Sequence, residues 1–394
     1  MNAHDNMKKY YLMIGLFLLC FPLNSCSAQQ KSTDKIVLGA EQIDKYLPLL
    51  QNKKVGLLVN HTSYVNQTHL VDTLLSLGIR VEKIFAPEHG FRGNQGNGEL
   101  VKDDRDEKTG LRVISLYGKN KKASPEQLAG LDAVIYDIQD VGARFYTYIS
   151  SMHYMMEACA ENDVQFIILD RPNPNGHYVD GPVLQPGFES FVGMHPIPIV
   201  YGMTAGELAQ MILGEQWLST KKTLNIEIIP LQNWTHDLGY SLPIAPSPNL
   251  PNDQAINLYP SLCLFEGTKI SLGRGTPDPF QVYGYPGDSS LGTFSFQPVS
   301  MPGYSLHPPH ENSICYGTDL RSAPRLTSIN LSYLIDMYQK TPEGFFNSFF
   351  SKLAGNNQLE EQIKAGQTES EIKQSWAKEL DDFKTKRLNY LLYP

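Results

Sequence analysis

Cysteine is scarce, with five in 394 residues, and no two of them form a Cys-x-x-Cys pair. A zinc site of that type is therefore excluded. Cys20 falls in an N-terminal apolar run and Cys26 just behind it, which leaves Cys159, Cys263 and Cys315. An odd, widely spaced set does not make a disulfide framework. Cys159, at the end of the helical-looking Tyr154-Met155-Met156-Glu157-Ala158-Cys159, reads as a small buried apolar residue. Phosphate- and cofactor-binding signatures are also missing. No G-x-G-x-x-G follows a first strand, and Gly93-Asn94-Gln95-Gly96-Asn97-Gly98 lies in a polar loop with no helix behind it. A dinucleotide is therefore not expected. A P-loop, a G-x-S-x-G elbow and an H-E-x-x-H helix are all absent, which argues against nucleotide hydrolysis, a serine α/β-hydrolase and a zincin. His307-Pro308-Pro309-His310-Glu311 brings two histidines together, but its prolines deny it a helix face, so it reads as a surface loop. The formal net charge is −8, with no long Lys/Arg run, so nucleic acid is not an expected partner. The expectation is a protein with no metal and no cofactor.

What is present begins at the N-terminus. Lys8-Lys9 precede an apolar run from Tyr10 to Leu23, too short for a comfortable membrane span. Leu23-Asn24-Ser25-Cys26 follows and resembles a bacterial lipobox. Residues 1–25 then read as a lipoprotein signal peptide, Cys26 as the lipidated first residue of the mature chain, and 26–33 as a polar tether. An ordinary cleaved signal near Ala28 is the alternative. Either way the mature chain is expected outside the cytoplasm. With the lipid it would be anchored in the bacterial cell envelope, facing the periplasm or the outside, and would touch the membrane through that anchor only.

Beyond the tether, strands and helices alternate. Lys54–Val59, Arg80–Ala86, Val113–Leu116, Ala133–Asp137 and Val164–Leu169 read as strands, with helices over Glu41–Leu50, His69–Leu77, from Ser124 and over Thr147–Ala160. Near-continuous apolar strands between helices imply a parallel sheet covered on both faces. The fold class is α/β: a Rossmann-like parallel-sheet domain over 34–185, then a second α/β auxiliary domain over 186–394. The second part carries a helix at Thr204–Leu213, a strand at Leu224–Pro230, a Pro/Gly/Asn-dense stretch over 243–290 and mostly amphipathic helix from Ser328 to Leu392. The polar loop Asn94–Gly110, with Asp103-Asp104-Arg105-Asp106-Glu107, reads as a solvated lid; it lacks the ligand spacing of a calcium loop.

Polar clusters end four of the strands: Asn60-His61-Thr62-Ser63, Glu88-His89-Gly90-Phe91-Arg92, the Asp137–Tyr146 segment with Asp140 and Arg144, and Asp170-Arg171-Pro172-Asn173. In a parallel sheet these ends share one rim, where ligands of open α/β sheets bind. Proline-fixed loops of the second part add Asn249, Glu266, Arg274 and Thr276. Carboxylates, tyrosines, asparagines and arginines around a cleft suit glycoside cleavage, in which one carboxylic acid protonates the leaving oxygen and a second group acts as nucleophile or base. Arginines suit a sugar that bears a carboxylate.

Glu88-His89-Gly90-Phe91-Arg92-Gly93, Ser115-Leu116-Tyr117-Gly118, Asp137 to Tyr148, Asp170-Arg171-Pro172-Asn173-Pro174, Pro246-Ser247-Pro248-Asn249 and Phe265-Glu266-Gly267-Thr268 together resemble the NamZ family of bacterial exo-β-N-acetylmuramidases. The resemblance spans nearly the whole mature chain. Phe91 departs from it, standing where many relatives have Ile. It implies a site in the cleft between the two domains and release of terminal β-1,4-linked N-acetylmuramic acid from the non-reducing ends of peptidoglycan fragments. MurNAc-GlcNAc and muropeptides are then the expected partners. The family's catalytic glutamate maps onto Glu88, the expected general acid in a partly apolar cleft near Phe91. Asp137, Asp140 and Glu266 are candidates for the second catalytic carboxylate. The substrate's own 2-acetamido group, oriented by a carboxylate, is the alternative nucleophile. Arg92, Arg144 or Arg274 is expected on the lactyl carboxylate. His89 is expected to orient Glu88 or to touch a hydroxyl. Asn60, Ser63, Tyr146, Asn173, Asn249 and Thr276 are further candidates for sugar contact. The rival from another class is a non-catalytic lipoprotein that captures muropeptides for uptake; the acidic Glu88 loop speaks against it. A peptidoglycan amidase or esterase is weakened by the missing zinc and serine signatures.

Overall fold

The computed structural model describes residues 35–92 and 104–394. The signal peptide, tether and Cys26 expected from the sequence lie outside the described residues, as does the 93–103 part of the expected lid. Ile36–Pro394 forms one compact unit. Among the described residues no helix is long and apolar enough to cross a membrane.

The first lobe is built on strands β1 (Lys54–Val59), β4 (Arg80–Ala86), β5 (Asp104–Arg105), β6 (Arg112–Ser115), β7 (Ala133–Asp137), β8 (Gln165–Leu169) and β9 (Ile226–Ile229), with the ribbon β2 (Tyr64–Val65) and β3 (Thr68–His69) apart from the sheet. The sheet order is β5-β6-β4-β1-β7-β8-β9. Every pairing is parallel except that of the edge strand β5 with β6. The apolar runs are buried because both faces are covered: all five residues of β7 are buried. One face packs α1 (Ile43–Leu50) and α2 (Leu70–Ser76); the other packs α4 (Tyr148–Glu161) and α5 (Ala205–Gly214). The short helix α3 (Pro125–Leu128) starts at Ser124, whose hydroxyl accepts from Gln127 N–H in a capping box with proline at the helix start. Thr204 caps α5 in the same way with Glu207.

The sheet takes its last strand from residues 226–229, so the first lobe draws on chain well past residue 185, where the sequence placed the domain boundary. The expected lid also differs. Asp104–Arg105 is an edge strand, and Asp106 turns inward to bond Thr109 and Arg92.

The second lobe holds α6 (Asp253–Leu262), a three-stranded antiparallel sheet of β10 (Val282–Pro286), β11 (Phe294–Phe296) and β12 (Cys315–Asp319), and helices α7 (Ser332–Lys340), α8 (Phe350–Ala354), α9 (Gln358–Lys364) and α10 (Glu369–Arg387). Helix α6 falls in the stretch that the sequence presented as irregular. Its Pro260 has no N–H to offer the Ile256 carbonyl one turn back. That carbonyl instead accepts the Asn175 amide at 3.0 Å, so the proline is tolerated. One apolar core runs from β7 and β8 through α4 and α6 to Phe350 and Trp376. Cys159, Cys263 and Cys315 are buried free thiols.

Candidate active site

The loops after β4 and β6 and the segment after β7 meet the second lobe around a cavity of about 460 Å³. Glu88 and His89 come from the first loop, Tyr117, Gly118 and Lys121 from the second, and Phe145 to Tyr148 from the third. Ser247, Asn249, Tyr259, Glu266, Arg274, Phe280 and Phe349 close the far side.

Glu88 is aimed by a tight turn. Pro87 ends the strand ladder. His89 and Gly90 then adopt φ values of 69° and 76°, and Gly90 N–H donates to the Pro87 carbonyl at 3.1 Å. A side chain in the left-handed region costs roughly 1–2 kcal/mol, and such strain collects at functional sites. The Tyr117 hydroxyl donates to Glu88 Oε1 at 2.9 Å and the Thr147 hydroxyl to Oε2 at 2.8 Å. Burial, and then the Glu88 charge, push the Tyr117 phenol well above its ordinary pKa, so it remains a donor. The walls around Glu88 are aromatic: Tyr146 packs edge-on to Tyr148 at 4.9 Å and to Tyr259 at 5.8 Å.

The second cavity carboxylate is Glu266, on the 3₁₀ turn Cys263–Gly267 that continues α6. Arg274 Nε donates to its Oε1 at 3.1 Å and Arg274 Nη2 donates to the same oxygen. The guanidinium lies 5.0 Å from the Phe280 ring centroid. The turn needs glycine at its end, since a Cβ on Gly267 would come within 2.4 Å of Phe350 Cα in α8.

A family profile described as "Exo-beta-N-acetylmuramidase NamZ, N-terminal" matches residues 55–254, and its C-terminal counterpart matches 257–393. The chain belongs to the NamZ family. It is similar to the peptidoglycan beta-N-acetylmuramidase NamZ of Bacillus subtilis strain 168, at 38% identity over 407 residues covering 97% of each chain. It is also similar to two solved DUF1343 family proteins of Bacteroides fragilis. One is 47% identical with a TM-score of 0.84, the other 29% identical with a TM-score of 0.79. Each match covers 91% of this chain and 99% of the solved one. The seam between the two NamZ segments falls in the first turn of α6, whose Tyr259 lines the cavity.

This NamZ cavity gathers Glu88, His89, Tyr146, Asn249, Glu266 and Arg274 from the residues that the sequence singled out. The others bond elsewhere within the protein, most of them buried. Asp137 is fully buried, and its two oxygens accept from Arg171 Nε at 2.5 Å and Nη2 at 3.0 Å; it is a structural ion-pair partner, not a second catalytic carboxylate. Asp140 accepts from Tyr201 and from Gly142 N–H at 2.7 Å, and burial pushes its pKa up to about 6. Arg144 has no exposure and donates to the carbonyls of Pro182 and Ile197 and, across the lobes, of Leu353 and Ala354. Arg92 forks onto Asp106 at 3.1 and 2.8 Å. Asn60 Oδ1 accepts from Thr62, and Ser63 donates to the Asp137 carbonyl. Asn173 Nδ2 donates to the Met203 carbonyl at 2.8 Å, pressed so close to Gly142 that a Cβ there would fall 2.1 Å from its Oδ1. Thr276 closes the Arg274 turn by donating to the Gly273 carbonyl at 2.6 Å. Phe91 lies in the core on the other sheet face, beside His69, so the apolar surroundings of Glu88 come from the cavity aromatics instead. Sequence reasoning missed Tyr117, Thr147 and Lys121 as site residues. The signal for the first was its place directly after strand β6, at the same rim as Glu88.

Proposed function

We infer that this chain removes terminal β-1,4-linked N-acetylmuramic acid from the non-reducing end of peptidoglycan fragments, with Glu88 as the general acid. The coarser part rests on family: the chain is a glycoside hydrolase, since its relative of near-equal length is a peptidoglycan β-N-acetylmuramidase. The observation that supports the finer part is the Glu88 carboxyl, held at a cavity wall by two hydroxyls from two different loops. A hydroxyl donates to a carboxylate and accepts from a carboxylic acid, so Thr147 can serve Glu88 in both protonation states. Glu88 hands its proton to the glycosidic oxygen as the bond from that oxygen to the sugar's C1 breaks. The hydroxyl of water ends on C1, and its remaining proton passes to a carboxylate at the cavity and restores the acid form of Glu88. Glu266 is the second carboxylate at the cavity, and it acts on the side of that carbon by activating the water or holding the 2-acetamido group. A cavity of about 460 Å³ suits one substituted terminal sugar better than the run of rings that an endo-acting groove grips.

The test is turnover of MurNAc-GlcNAc, followed by mass spectrometry of free MurNAc, in wild type and Glu88→Gln. Wild type should release the monosaccharide. The variant should lose about 10³-fold in kcat at an unchanged melting temperature. Near wild-type turnover by Glu88→Gln would remove the assignment, and binding without release would favour a capture protein. We place the enzyme at the cell envelope, anchored through Cys26, on the strength of the Leu23-Asn24-Ser25-Cys26 motif. Cys26→Ala should move it from the membrane fraction to the soluble one; an unchanged distribution would sink the anchor.

A further inference from the structure

We propose that Lys121 forms the anion subsite of the cavity and reads the free carboxylate of an acidic amino sugar. This rests on the function just proposed and names the residue that gives it sugar specificity. N-acetylmuramic acid differs from N-acetylglucosamine by a lactyl ether at one oxygen, so the feature that separates them at neutral pH is a single carboxylate. A site that prefers the acid needs an available cation.

The charges of the arginines near the site are already balanced or enclosed. Arg92 holds Asp106, Arg144 holds four backbone carbonyls, and Arg274 pairs with Glu266 through Nε and Nη2, its buried Nη1 alone lacking a partner among the described residues. Lys121 lines the same cavity as Glu88, and among the described residues no carboxylate pairs with it. Its ammonium sits 4.4 Å from the Phe191 ring centroid, a contact that holds a cation in place and lowers its exposure to water. Phe191 is itself fixed. It stacks on Tyr154 at 6.2 Å, and its carbonyl accepts from the Ser150 hydroxyl at 2.8 Å. The neighbouring Lys122 anchors the backbone by pairing with Glu157 at 2.5 Å and Glu161 at 2.8 Å on α4. The two adjacent lysines thus divide the work: one ties the loop to the protein, the other faces the cavity. A flexible ammonium, a point charge rather than a fork, suits a carboxylate at the end of a rotatable lactyl arm.

The test compares two chromogenic β-glycosides, one of N-acetylmuramic acid and one of its lactyl methyl ester, in wild type, Lys121→Met and Lys121→Arg. Wild type should prefer the acid by about 30-fold in kcat/KM, the size of one charge-assisted hydrogen bond. Lys121→Met should lose that factor on the acid and stay within about 2-fold on the ester, so the preference vanishes. Lys121→Arg, which keeps the charge, should keep most of it. Equal losses on both substrates, or a preference that survives Lys121→Met, would overturn the proposal. A wild type that hydrolyses both alike would overturn it while leaving the muramidase reading intact. A wild type that hydrolyses neither would count against the muramidase reading. In that case, calorimetric binding of N-acetylmuramic acid against N-acetylglucosamine decides on Lys121: a preference lost in Lys121→Met supports it, and equal binding by wild type overturns it.

Discussion

Two groups of polar residues sit side by side at the carboxyl ends of one sheet and do opposite things. The loops after β4, β6 and β7 turn Glu88, Tyr117, Lys121 and Thr147 into the cavity. The ends of β1, β7 and β8 turn Asn60, Ser63, Asp137, Asp140, Arg171 and Asn173 into the protein, where each meets a hydrogen-bond partner. Composition does not separate the groups, since both mix carboxylates, cations and hydroxyls. What separates them is where the bonding happens: the inward group bonds charges and backbone groups within the fold, while Tyr117 and Thr147 bond Glu88 at a cavity wall. The inward group forms a rigid brace beneath the site. In the cavity group the Glu88 carboxylate is held, among the described residues, by two hydroxyls, as suits the proton donor proposed above.

The largest effect should fall on the cavity side. Glu88→Gln should cost about 10³-fold in kcat, or about 4 kcal/mol of barrier, and nothing measurable in urea unfolding. A parallel loss of stability would merge the two groups and break the comparison. Asp137→Asn should show the reverse. It leaves Arg171 buried without its charge partner, a change that costs about 3–5 kcal/mol of folding free energy. A urea midpoint equal to wild type would mean that Asp137 is not part of the brace.

A third experiment uses pH. His69 is buried; its Nε2 bonds the Asn60 carbonyl at 2.8 Å and its Nδ1 accepts from Val71 N–H at 3.3 Å, capping α2. Burial, with the nearby Arg92 charge also lowering it, pulls its pKa down to about 4 from the usual 6.5. The folded protein then binds this proton less readily than the unfolded chain. Stability from His69 is full above pH 6.5 and is lost as pH falls toward 4, by about 3 kcal/mol in all. His69→Asn, a cap that does not titrate, should flatten that part of the stability-versus-pH curve; an unchanged slope would clear His69. The smallest expected effect sharpens the cavity side. Thr147→Ala should lower kcat about 10-fold by freeing one oxygen of Glu88, and Thr147→Ser should restore it. No change in either variant would leave Tyr117 as the sole anchor.

Much of the first lobe was legible because buried parallel strands must be apolar along most of their length, as Val55 to Val59 and Ala133 to Tyr136 are. Glu88 was legible because a strand, a proline and Glu-His-Gly follow one another without a gap. The second lobe was harder to read. β10 and β12 pair Gly284 with Gly317, which gives no alternating pattern, and α6 carries a proline that looks like a breaker until Asn175 is placed beside it. The loop after β6 entered the sequence reading only through Ser115-Leu116-Tyr117-Gly118, and Lys121 beyond it carries no local signal of a site.

By itself the sequence determined the layered sheet, the family and the acidic turn that carries Glu88, since these depend on residues adjacent in the chain. The tertiary structure decided which charges are spent on the fold and which are left for a substrate. Arg144 was a plausible substrate ligand until the carbonyl of Ala354, 210 residues away, was brought to it. A buried charge must find compensation wherever the fold supplies it, and that partner has no fixed distance along the chain.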